Sequence, residues 1–292
     1  MSDEPLFHLD KGLIRKSFDQ AAARYDEVAV LQREVGRRML ERLDLVRMVP
    51  EVILDVGCAT GFITIQLLKK YRKARVIALD IAPNMLAIAR RRSLWFRKLR
   101  CVCGDAEFLP LADACCDLLF SNLTLQWCGD LDQVFREFRR ILKPGGLLMF
   151  STLGPDTLKE LRQSWLAVDG YHHVNAFVDM HDIGDALVRV HLADPVMDVE
   201  LITLTYQDVF ALMRDLKTLG AHNVSAGRAR GLTGRGRLQA MCAAYERFRR
   251  DGLLPATYEV VYGHAWAPQR SASGQRSAGV AVFPISQLRR RR

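Results

Sequence analysis

Residues 51–61, EVILDVGCATG, limit what this chain can fold into more than any other stretch. Val52, Ile53, Leu54 and Val56 form a bulky apolar run without polar alternation, the pattern of a strand buried on both faces of a parallel sheet. An aspartate and a glycine turn follow. In open α/β sheets ligands bind outside the carboxyl ends of the strands, and Gly57 and Gly61 let backbone approach a ligand where a Cβ would intrude. A helix over 62–70 then offers its amino end to that ligand.

The spacing separates three ligands that use such turns. A dinucleotide G-x-G-x-x-G begun at Gly57 needs glycine at 59 and a small residue at 62, where the chain has Ala59 and Phe62. No Gly-Lys-Ser/Thr follows Gly61, so a P-loop is excluded. What remains is the D-x-G-x-x-x-G turn of S-adenosylmethionine (AdoMet) enzymes: Asp55, Gly57 and Gly61, with Cys58 inside the turn.

The next elements supply further contacts in order. ARVIALD predicts a second strand ending at Asp80, placed to accept from both ribose hydroxyls, with Ile81 beside the adenine. Pro83 starts a helix that carries Met85 and ends in Arg90, Arg91 and Arg92. The third strand leads to Asp105 and Ala106, where a carboxylate can accept from the adenine amino group. The fourth, CDLLFSN, ends at Asn122 and Leu123, with Gln126 and Trp127 just beyond, facing the methyl group. KPGG (143–146) reads as a turn before a fifth strand, and ELITLTY and YEVVYGHAW as late strands completing the sheet.

Ahead of this unit, 9–18 and 23–43 read as two helices. Phe18, Tyr25 and Gln32 recur every seven residues and so share one face. They make either a staple on the sheet or a lid, with Tyr25 and Gln32 reaching inward to the cofactor. The expected organisation is a helical lid over 1–45, a catalytic domain over 46–266 with a helical insertion around 155–192, and a basic, disordered tail over 267–292.

The chain's 292 residues, 49% hydrophobic, suffice for a full α/β core. The formal net charge of +9 is concentrated at the end: from Gly263 onward there are six arginines and no acid. Seven cysteines lack paired C-x-x-C spacing, and His172 and His173 lack coupled ligands, so no metal site is expected. With no signal peptide and no 18-residue apolar run, a cytoplasmic location without membrane contact is expected. Helices follow over 157–168, 180–190, 208–219 and 237–249. Arg162, Arg214, Lys217 and Arg228 are the candidate cations for holding a carboxylate or a carrier's arm.

DVGCATG, LDIAPNML, GDAEFLPL, SNLTLQWC and LKPGG together resemble the class I AdoMet-dependent methyltransferases. With FDQAAARYD, LGPDTLKELRQSW, LMRDLKTLGAHN and GRARGLTGR, the chain is similar to the malonyl-acyl-carrier-protein O-methyltransferases of biotin synthesis. The resemblance implies an α/β, Rossmann-like fold: a mostly parallel seven-stranded sheet, helices on both faces and an added helical substrate cap. It also implies methylation of the free carboxylate of a malonyl thioester on acyl carrier protein. Such a carboxylate is ionised at neutral pH, so no general base is expected, and Tyr25, Gln126 and Trp127 would position it as neutral donors. Nucleic acid is a poorer fit, since no clustered exposed aromatics accompany the charge. Two other similarities stay open: to carboxyl methyltransferases of the trans-aconitate type, and to non-methylating respiratory-complex assembly factors of the same fold.

Overall fold

The computed structural model describes residues 9–221 and 233–269. Seven strands form one sheet in the order β3-β2-β1-β4-β5-β7-β6. They are β1 (Val52–Val56), β2 (Arg75–Asp80), β3 (Arg100–Cys103), β4 (Cys116–Asn122), β5 (Leu142–Leu153), β6 (Ala193–Tyr206) and β7 (Leu254–Trp266). The first five pair in parallel, and β7 runs antiparallel between β5 and β6. This is the class I methyltransferase sheet that the resemblance implies.

Buried strand residues alternate between two apolar layers. Ile53, Leu118, Leu147 and Val260 face a core shared with α3 (Val30–Arg42), α4 (Phe62–Lys70) and α7 (Lys159–Leu166). Their neighbours Leu54, Leu119, Leu148 and Val261 face α6 (Leu131–Ile141) and α8 (Met180–Arg189). Such two-sided burial is why the strands read as continuous apolar runs. The strand order reverses between β1 and β4, and at that switch point the carboxyl ends of the strands leave a crevice.

Several sequence boundaries shift. The helix expected over 23–43 is two pieces, α2 (Tyr25–Val28) and α3, broken at Ala29 (φ −76°, ψ 46°). Arg33 Nη1 reaches back to the Asp26 carbonyl at 2.6 Å across that break. Phe18 lies on α1 (Lys11–Ala21), so Phe18, Tyr25 and Gln32 sit on three elements rather than on one helical face. The KPGG segment lies within the bounds of β5, where the register slips between Cys116–Leu142 and Leu118–Leu147 pairing. The expected helices also form as α5 (Pro83–Arg91), α9 (Val209–Thr218) and α10 (Arg235–Glu246). The helical pair α7 and α8 falls between β5 and β6, within the expected insertion. Arg228 and most of the expected tail lie outside the described residues. Among the described residues, no helix is long and apolar enough to cross a membrane.

Candidate active site

Strand β1 delivers the glycine turn to the crevice. Gly57 has φ +73°, and a Cβ there would lie 2.0 Å from Thr124 Oγ1, so neither conformation nor space admits another residue. The Gly57 and Cys58 amides both donate to the Leu79 carbonyl, at 2.8 and 3.0 Å, joining the turn to the end of β2. Asp80 completes the joint: Oδ2 accepts from the Ala59 amide at 2.8 Å and Oδ1 from Ala82 at 2.9 Å. Burial pushes the Asp80 carboxyl up to about 6, against the pull of these amides.

The crevice is one cavity of about 1540 Å³, open mouth included. Gly57, Asp80, Ile81, Met85, Asp105 and Ala106 all line it. Asn122, Leu123, Gln126 and Trp127 line it at the end of β4, and Tyr25 and Gln32 enter from the amino-terminal helices. Ala59, Leu123 and Leu158 adopt the left-handed conformation on its wall, with φ of 47°, 50° and 54°. Strained non-glycine residues of this kind concentrate at functional sites.

The amino-terminal helices are latched over this crevice. Lys11 Nζ donates to Asp105 Oδ1 at 3.0 Å and to Glu107 Oε1 at 2.8 Å. Asp19 Oδ1 accepts from the Asn84 amide at 2.7 Å, and Asp26 accepts from Thr60 Oγ1 at 2.7 Å and pairs with Arg92. Asn122 Nδ2 donates to the Gln32 carbonyl at 2.9 Å. Burial, with Asp80 and Asp26 nearby, raises the Tyr25 phenol well above its usual range, so it remains a neutral donor.

Seven sequence-selected residues belong elsewhere or lie beyond the described residues. Asp55 is buried beneath the turn, accepting from Thr64 Oγ1 at 2.5 Å, and burial pushes its carboxyl up to about 7. Cys58 is buried with its amide committed to Leu79, and Gly61 caps α4 beside Ala89. None of the three lines the main cavity, because the turn presents Gly57 and Ala59 instead. Arg162 folds back onto the Pro155 and Thr157 carbonyls at 2.6 and 3.0 Å. Arg214 and Lys217 do not line the cavity, to which α9 turns Asp215 and Leu216, with Leu219 just past its end. Arg228 is outside the described residues.

The structure also adds residues that were not selected. Lys11 had no motif to mark it, because its partners lie 94 and 96 residues away. His173, expected to be an unremarkable loop histidine, lines the cavity with its ring stacked on Trp165 at 3.8 Å. Its Nε2 lies 2.8 Å from Asp169 Oδ1, and the D-x-x-x-H spacing was the available signal. Cys128 lines the cavity too, but burial pushes its thiol up to about 12, which leaves it no nucleophile.

A protein of Methylovorus sp. (strain MP688) named malonyl-[acyl-carrier protein] O-methyltransferase is 58% identical over 267 residues, covering 89% of this chain and 90% of its own. One of the same name from Laribacter hongkongensis is 56% identical over 270 residues, with 90% and 91% covered. The chain belongs to the malonyl-[acyl-carrier protein] O-methyltransferase family. A family model described as a methyltransferase domain matches residues 54–150, from β1 into β5. The solved structure of the YcgJ protein of Bacillus subtilis shares the fold, with a TM-score of 0.56 at 13% identity over 80% of this chain and 99% of that one.

The enzyme is thus an AdoMet-dependent O-methyltransferase, and neither the trans-aconitate-type nor the assembly-factor expectation is favoured. The cavity fits that cofactor. Asp80 offers a carboxylate at the end of β2, and Gln32 Oε1 is a buried acceptor on the wall without a hydrogen-bond partner among the described residues.

Proposed function

We propose that the enzyme converts the free carboxylate of a malonyl group, carried as a thioester on acyl carrier protein, to its methyl ester. The observation that carries this reading is the single cavity that joins the Asp80 end of the sheet to the neutral donors Tyr25, Gln126 and Trp127. The names of the relatives support the acceptor and its carrier.

AdoMet, when bound, supplies an electrophilic methyl group on a sulfonium. Asp80, Ile81, Met85, Asp105, Ala106, Asn122, Leu123 and Gln32 hold it in this reading, and α1 to α3 close over it as a lid. Asp55, Cys58 and Gly61 act by shaping the turn that Gly57 presents.

The acceptor oxygen is already ionised, so the protein's task is to orient and to exclude water. Charge disappears as the ester forms, and a strong cation on the reacting oxygen would hold the ground state more tightly than the transition state. Neutral groups avoid that penalty. Gln126 is pinned at both ends of its amide: Nε2 donates to the Leu123 carbonyl at 2.7 Å and Oε1 accepts from Thr152 at 3.2 Å. Its second N–H remains for the spectator oxygen. Trp127 meets Phe18 edge-on at 5.1 Å, so the lid and the acceptor wall share one aromatic contact.

Methyl transfer from labelled AdoMet tests the reading, with malonyl-carrier protein, malonyl-coenzyme A, free malonate and trans-aconitate as acceptors. Ester formation on the malonyl carrier should exceed the rest. Equal or greater methylation of trans-aconitate, or AdoMet binding without turnover on any acceptor, would defeat it.

A further inference from the structure

The sequence offers arginines and lysines for gripping the acceptor's carboxylate, yet the described basic residues that line the cavity are Lys11 and His173. Lys11 is committed to Asp105 and Glu107. His173 lines the same cavity, as do Leu158, next to the start of α7, and Tyr258 of β7.

Two contacts fix its ring, and two more hold the carboxylate behind it. Trp165 from α7 stacks on one face at 3.8 Å with the planes 9° apart. Asp169 Oδ1 accepts from Nε2 at 2.8 Å and from the Tyr171 amide at 3.1 Å. Arg237 Nη1 lies 3.6 Å from Asp169 Oδ2. Burial works against the Asp169 charge, but His173, the Tyr171 amide and Arg237 hold its carboxyl below the usual range. An ionised carboxylate only accepts, so the Nε2 proton is fixed on the ring and Nδ1 is the remaining polar atom.

We propose that His173, oriented by Asp169 and Trp165, binds the spectator oxygen of the acceptor's free carboxylate and selects for that group. The inference rests on the carboxyl-methylation reading above. Holding a carboxylate in this way requires a proton on each ring nitrogen in the complex, so that Nε2–H donates to Asp169 and Nδ1–H to the acceptor. Its positive charge is shared with Asp169, so it orients the carboxylate without the full ground-state hold of a free lysine or arginine. Arg237 stands behind Asp169, and Asp215, Asp80, Asp105 and Lys11 line the same cavity.

The test compares malonyl-carrier protein as substrate with malonamyl-carrier protein, its neutral amide analogue, as competitive inhibitor. In the unaltered enzyme the malonyl form should bind roughly 10-fold or more tightly, the usual scale of a hydrogen bond to a charged group. His173→Gln and His173→Phe should raise KM for the malonyl carrier by about that factor and shrink the preference to within about 3-fold. AdoMet affinity should stay unchanged. Asp169→Asn, which keeps the ring but removes its ionic anchor, should narrow the preference in the same direction. Unchanged discrimination in the His173 variants at normal AdoMet affinity would overturn the role of His173. Failure of the unaltered enzyme to methylate the malonyl carrier would instead defeat the acceptor reading itself.

Discussion

Lys11 and Asp105 are 94 positions apart in sequence, yet Lys11 Nζ donates to Asp105 Oδ1 at 3.0 Å and ties the first helix to the loop after β3. Glu107 takes a second bond from the same ammonium at 2.8 Å. The side chains are only about a quarter exposed or less, so solvent screens the pair less than it would a surface bridge. Lys11→Ala should therefore loosen the lid and weaken AdoMet binding by ~3–10-fold, the effect of about 1 kcal/mol. Calorimetric titration with AdoMet reads this directly, and an unchanged Kd would remove the strap from the binding mechanism.

The glycine turn makes opposite predictions at two neighbouring positions. Gly57→Ala adds a Cβ at φ +73° and drives it into Thr124, so a loss of about 2 kcal/mol or more is expected, together with loss of AdoMet binding. Ala59 already sits at φ 47°. Ala59→Gly should relieve that strain and be neutral or stabilising by up to ~1 kcal/mol. Denaturant melts of both variants check the pair; a stabilised Gly57→Ala would mean that the turn is not held as described.

Two buried carboxyls set a pH dependence. The Asp55 and Asp80 carboxyls are pushed up to about 7 and about 6, chiefly by burial. A carboxyl raised in the folded state stabilises the fold most below its unfolded value near 4, and this contribution is lost as pH rises through the folded value. The cofactor-free enzyme should therefore lose on the order of 2 kcal/mol between pH 5 and 7.5 from Asp55. Asp55→Asn, which keeps an oxygen acceptor for Thr64, should flatten that slope. Parallel melting curves at several pH values decide it, and an equally steep variant would assign the dependence to other groups.

The sheet, and the residues that gather at its carboxyl end, were legible because each rests on a local pattern. Unbroken apolar runs mark doubly buried strands, and the acids that follow them fall at strand ends by construction. Phe18, Tyr25 and Gln32 do meet at the cavity, although the shared helical face that selected them does not exist. Three short elements bring them there. On α9 the charges were misleading: Val209, Leu212, Leu216 and Leu219 form the inward stripe, and it puts Arg214 and Lys217 on other faces. Lys11 was illegible for a different reason: it acquires its setting from carboxylates far along the chain. His173 had one local signal, its spacing from Asp169, but the stack on Trp165 is not announced by spacing.

The two ends of the cavity should separate kinetically. Asp80 joins the glycine turn to β2 and lines the cavity, so Asp80→Ala should weaken AdoMet binding far more than Gln126→Ala does. It removes the carboxylate proposed to hold the cofactor and leaves the Ala59 and Ala82 amides without their acceptor. Gln126 instead spans the Leu123 carbonyl and the Thr152 hydroxyl, on the acceptor wall. Gln126→Ala should lower kcat by roughly 10²-fold, the scale of losing one oriented donor, while the Kd for AdoMet stays within about 2-fold. Equilibrium binding of AdoMet and single-turnover methyl transfer measured on both variants resolve the division. Comparable losses of AdoMet affinity would mean that Gln126 supports the cofactor, and that the acceptor is positioned by other groups.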